Sequence, residues 1–81
     1  MKIDIQVARS VVREAVAEMV GRRVGDSDPI VSSGLLDSLS VVQLIARLEQ
    51  KLNVAIPPGN LQPDDFDNVD LIVETVEREA R

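Results

Sequence analysis

The sequence contains no cysteine, histidine, tryptophan or tyrosine, and a single phenylalanine. Without thiols there is neither a disulfide nor a thiolate metal site, and without imidazole the chain lacks the commonest general base and metal ligand at neutral pH. A self-contained hydrolase or zinc site is thereby disfavoured, and the chain reads as a non-enzyme. With aromatics at 1% and apolar residues at 44%, the core has to be built from Val, Leu, Ile and Ala around Phe66. That composition suits interlocking helices. No apolar run approaches the ~20 residues of a membrane span. Charges at Asp4, Arg9, Arg13 and Glu14 break the apolar stretch that a signal peptide would need after Met1. A cytoplasmic location with no membrane insertion follows as the expectation. A net charge of −5 repels phosphate backbones and anionic lipid, so nucleic acid is not an expected partner. Partners with basic docking surfaces are.

The 81 residues give room for one domain, taken as 1–81, with no repeat, low-complexity tract or linker to divide it. Ile5, Ala8, Val12, Ala15, Val16 and Met19 recur at spacings of three and four, the stripe of an amphipathic helix over 3–20 that Gly21 ends. Residues 22–37 are dense in Gly, Asp, Ser and Pro and read as a long loop, which Ile30, Val31, Leu35 and Leu36 can pin to the core. A second helix starts at Asp37 or Ser38 and runs to about Leu52, closed by Asn53 and by Pro57-Pro58-Gly59. Pro63-Asp64-Asp65 opens a short helix. Asp67 or Asn68 caps a last one, with the stripe Val69, Ile72, Val73, Val76 and Ala80 and outer pairs Glu74–Arg78 and Glu77–Arg81.

The second helix has more apolar surface than one core requires. Val41, Leu44, Ile45, Leu48 and Leu52 fall within about 100° of one another, the width of one buried stripe. Leu39, Val42 and Ala46 form a separate strip centred about 140° away. Scattered exposed apolar residues are normal on a soluble surface, whereas a strip starting one residue after Ser38 also suits docking of another protein. Asp-Ser at a helix start is ordinary capping chemistry. Ser38 has no His or Cys partner to activate it, so any reaction at its hydroxyl has to be performed by another enzyme.

The run Gly34-Leu35-Leu36-Asp37-Ser38-Leu39-Ser40-Val41-Val42-Gln43-Leu44 resembles the attachment motif of acyl and peptidyl carrier proteins. Val54-Ala55-Ile56-Pro57, then Pro63-Asp64-Asp65-Phe66 and a final amphipathic helix, extend the likeness over nearly the whole chain in that family's order. The resemblance implies an all-α, four-helix acyl-carrier-type bundle, with three longer helices, one short third helix and a long first loop. It implies 4'-phosphopantetheine transferred from coenzyme A to Ser38 by a phosphopantetheinyl transferase, with Asp37 assisting that enzyme. Acyl or aminoacyl groups would then ride as thioesters, supplied by an adenylating ligase or acyltransferase and passed to downstream acyl-accepting enzymes by a monomeric carrier. Leu39, Val42, Gln43, Ala46 and Arg47 fall where family members meet partners.

Carriers of fatty-acid synthesis have a strongly acidic second helix, whereas Arg47, Glu49 and Lys51 leave this one slightly positive and Gln43 replaces a usual acid. Electrostatic steering then shifts toward the Asp-rich segment 64–70. With these features, with Val42-Gln43-Leu44 after the motif and with Pro63-Asp64-Asp65-Phe66-Asp67, the chain is more similar to D-alanyl and other stand-alone aminoacyl or peptidyl carriers. The alternatives are a fatty-acyl or polyketide carrier and, in a different class, an unmodified helical adaptor.

Overall fold

In the computed structural model, which describes residues 4–81, three α-helices appear in chain order: α1 (Ile5–Val20), α2 (Ser38–Leu52) and α3 (Val69–Glu79). Two single turns of 3₁₀ helix, Pro58–Asn60 and Pro63–Phe66, lie between α2 and α3. The short third helix expected from sequence is therefore a 3₁₀ turn, preceded by a second turn that the sequence did not announce. No helix among the described residues is long and apolar enough to cross a membrane.

Each helix begins on a side-chain cap. The Asp4 carboxylate accepts from the amides of Gln6 and Val7 at 2.9 and 3.3 Å, Asp37 from Ser40 at 2.8 Å, and Asn68 from Leu71 at 2.8 Å. α1 and α2 end on left-handed residues, Gly21 with φ 88° and Asn53 with φ 54°, the conformation that most side chains avoid. The stripes face one core. Ala8, Val12, Ala15 and Val16 of α1, Val41, Leu44 and Leu48 of α2, and Val69, Ile72, Val73 and Val76 of α3 are buried. α1 packs against both α2 and α3, and the Pro63–Phe66 turn packs against the same two helices, placing Phe66 in the interior. Among the described residues Thr75 is the buried polar one, its hydroxyl donating to the Leu71 carbonyl at 2.8 Å with the Asp65 carbonyl as a second acceptor at 3.2 Å.

The first loop is pinned by Ile30 and Leu36, both buried, and by the half-buried Val31. Leu35 was expected to help and instead faces solvent, because the left-handed turn at Gly34 (φ 86°) redirects the chain. Ile5 is likewise more exposed than its place in the stripe suggested, since it stands at the helix start beyond the reach of the core. The outer pairs of α3 also differ. Arg78 binds Glu79 at 2.8 Å and approaches Asp65 at 3.8 Å rather than pairing with Glu74. Arg81 lies past the helix end, where its backbone and that of Ala55 exchange two hydrogen bonds of 2.8 Å, so it is out of register with Glu77.

Candidate functional site

Ser38 is the first residue of α2 and is exposed. Before it, Asp37 adopts an extended backbone (φ −97°, ψ −178°) that turns its carboxylate onto the helix end. The bond from the Ser40 amide, followed by that from the Ser40 hydroxyl, holds the Asp37 carboxyl below its ordinary value, so it is an anion at neutral pH. One of its oxygens is committed to the helix. The serine is an unactivated alcohol, aligned with a helix dipole that favours an anion at this end.

Beside Ser38 lies a groove of about 250 Å³. Val42 and Ile45 of α2 form one wall, and Leu61, Pro63 and Phe66 of the 3₁₀ segment form the other. Sequence reasoning placed Ile45 and Phe66 only in the core, and the lone clue to the groove was the Pro-rich spacing after α2. A larger open depression of about 850 Å³ lies between α1 and the first loop, lined by charged side chains such as Arg13, Glu14 and Asp26. It does not reach Ser38, and Arg13 and Asp26 are already paired across it at 2.6 Å.

The second strip of α2 faces outward. Leu39 and Val42 are 66% and 61% exposed, and Gln43 and Ala46 are exposed beside them. Leu35, 41% exposed, adds an apolar side chain just before the cap. Arg47 is exposed too, but its guanidinium lies 3.3 Å from Glu18 of α1. Lys51 lies 3.4 Å from Glu14, and Glu49 accepts from the Ile56 amide at 2.9 Å. All three charges of α2 thus have partners inside the molecule.

The acidic segment 64–70 is also largely engaged. Asp65 accepts from the Gln62 amide, Asp67 from the first loop, and Asp70 pairs with Arg9. Asp64 alone has no side-chain hydrogen bond or ion pair among the described residues. Asp70 shares the charge of Arg9 and Asp65 lies 3.8 Å from Arg78, whereas Asp67 bonds neutral groups and keeps its charge while it holds the loop.

The model of a family described as the phosphopantetheine attachment site matches residues 10–76, which include the capped serine, the outward strip and the groove. The chain belongs to the phosphopantetheine-attachment family. Domains of this family hold 4'-phosphopantetheine covalently, and an exposed hydroxyl at a helix N-terminus beside an apolar groove fits such an arm. Among curated relatives, this family member is 39% identical over 64 residues to a D-alanyl carrier protein of Streptococcus pyogenes serotype M5 (strain Manfredo), a stretch covering 79% of this chain and 73% of that protein. It is 32% identical over 72 residues to a D-alanyl carrier protein of Leuconostoc citreum (strain KM20), covering 82% of this chain and 92% of that one.

Proposed function

We propose that this chain is one carrier domain whose Ser38 bears 4'-phosphopantetheine and which delivers aminoacyl groups as thioesters on the arm's thiol. The observation that supports this best is the exposure of Ser38 at the start of α2, beside an apolar groove and inside the matched region. A transferase moves the arm from coenzyme A: the Ser38 oxygen bonds to the phosphorus that carries the pantetheine, the pyrophosphate bond breaks, adenosine 3',5'-bisphosphate leaves, and the serine proton passes to the enzyme, so that a phosphodiester links arm and serine. Asp37, anionic and exposed, assists that enzyme through the enzyme's own metal. The helix dipole favours the resulting anion.

The arm supplies a thiol to a chain that has none. Activation and transfer of the cargo belong to partner enzymes, because no residue here can serve as an imidazole base or thiolate nucleophile. Leu39, Val42, Gln43 and Ala46 form the surface those enzymes cover. The D-alanyl carrier relatives support an aminoacyl cargo over a fatty-acyl one.

Incubation with coenzyme A and a broad-specificity transferase should add one phosphopantetheinyl mass to the intact protein, and Ser38→Ala should gain none. If the alanine variant still gains the mass, or wild type never does, the carrier reading fails. With the arm in place, an adenylating ligase with D-alanine should add an aminoacyl mass, whereas preferential loading by a fatty-acyl ligase would reverse the cargo assignment.

A further inference from the structure

The first loop reaches Ser38 from a base fixed at one distant residue. Asp67 Oδ1 accepts from the amides of Val31 and Ser32 at 3.0 and 2.8 Å, its Oδ2 accepts from the Ser32 hydroxyl at 2.8 Å, and its carbonyl accepts from the Ile30 amide at 2.7 Å. Four donors from three consecutive loop residues thus converge on a residue more than thirty positions later in the chain. The loop then closes on itself through Gly34 N–H to the Val31 carbonyl (3.0 Å) and Leu36 N–H to the Ile30 carbonyl (2.7 Å). The residues that follow Leu36 are Asp37 and Ser38. On its other side Asp67 directly follows Phe66, which with Pro63 walls the groove beside Ser38.

From this geometry we infer that Asp67 is a positioning residue for attachment at Ser38, holding the loop that delivers the serine and the turn that walls its groove in one arrangement. The inference rests on Ser38 being the attachment site. Asp67 is not the loop's sole fastening. Arg9 bridges Asp26 and Asp70, the Asp70 amide donates to the Asp26 carbonyl at 3.1 Å, and the side chains of Ile30 and Leu36 are buried in the core. Loss of the Asp67 carboxylate therefore loosens the stretch between Ile30 and Leu36, where the Val31 and Ser32 amides lose their acceptor, without detaching the loop. A transferase that grips a loosened loop has to order it on binding, and that entropy cost falls on association rather than on the chemical step.

The test measures transfer from coenzyme A by one transferase, with carrier concentration varied, at a temperature where circular dichroism shows each variant folded. Asp67→Ala should raise the KM for carrier roughly tenfold with kcat unchanged. Asp67→Asn, which keeps an oxygen for the two loop amides, should stay within about twofold of wild type. A residue that only stabilised the fold would lower the melting temperature and leave both constants alone in folded protein. A wild-type KM in folded Asp67→Ala overturns the inference. So does a fall in kcat at constant KM, which would place Asp67 in the transfer chemistry. Should Asp67→Ala not fold, Ser32→Ala removes just the Oδ2 bond from an exposed residue and should raise KM about twofold to threefold, no rise being the contrary result. Absence of any arm on wild type would sink the attachment reading itself, whereas normal loading indifferent to residue 67 sinks this inference alone.

Discussion

A single carboxylate at the start of α2 has to satisfy two demands. Asp37 Oδ1 accepts from the Ser40 amide at 2.8 Å, and the carboxylate remains exposed, as the proposed role with the transferase requires. Removing a cap of this kind lowers the melting temperature by a few degrees in a domain of this size. Asp37→Ala should accordingly fold and yet be modified by the transferase at least about tenfold more slowly, because a metal-linked role acts on the transfer step. Equal rates for mutant and wild type would reduce Asp37 to a cap. Residues such as this one were legible because a cap, the amide it binds and the helix it opens lie within four positions. Asp67 was not. It shares its place in sequence with Asn68 as a candidate cap, and only the folded chain gives the cap to Asn68 and brings Asp67 to the first loop. Glu49 reads in sequence as one of three exposed charges on a helix, and its bond to the Ile56 amide depends on how the chain turns after Asn53.

At the scale of elements, α2 divides its work between faces. Leu44 and Leu48 are fully buried, so Leu44→Ala or Leu48→Ala should cost about 2 to 5 kcal/mol through lost contacts and a residual cavity. Val42→Asp and Ala46→Glu place charge on an exposed strip and should shift stability by less than about 0.5 kcal/mol. Thermal melts should therefore separate the two pairs. Ligase or transferase kinetics should separate them in the opposite sense, with kcat/KM for the strip variants falling about tenfold because the new charge is desolvated on docking. Early melting of the strip variants would mean that they touch the core, and normal loading would move the docking surface toward Asp64. Both stripes were readable because a helix of 15 residues repeats its pattern over four turns. The 3₁₀ turns Pro58–Asn60 and Pro63–Phe66 are each one turn long and have no period to detect, so the groove they wall could not be drawn from sequence.

Over the whole molecule, acid is used as mortar between the first loop and its neighbours. Asp26 is held below the ordinary carboxylate value first by Arg13, and Asp67 first by the Ser32 amide, while Asp37 is lowered by its own helix. Because the folded chain binds protons at these groups less readily than the unfolded chain, their contribution is complete above the unfolded pKa. It is lost as pH falls through that value toward the lowered folded ones. With no histidine to titrate, the melting temperature should be level between about pH 5 and 8 and should decline below about pH 4. Asp26→Asn should lower the melting temperature at neutral pH and flatten the acid decline, and a slope identical to wild type would remove Asp26 from this account. The partly exposed setting keeps each contribution small. Phe66 gives the molecule a property of another kind. It is the one aromatic ring in the chain, and it stands in the wall of the groove beside Ser38. A ring current displaces the resonances of nuclei over its face, and here each such displacement has a single source. Protons of an arm or cargo that settle in the groove acquire that displacement, and protons that swing into solvent lose it, so the protein comes with its own magnetic gauge of where its load resides.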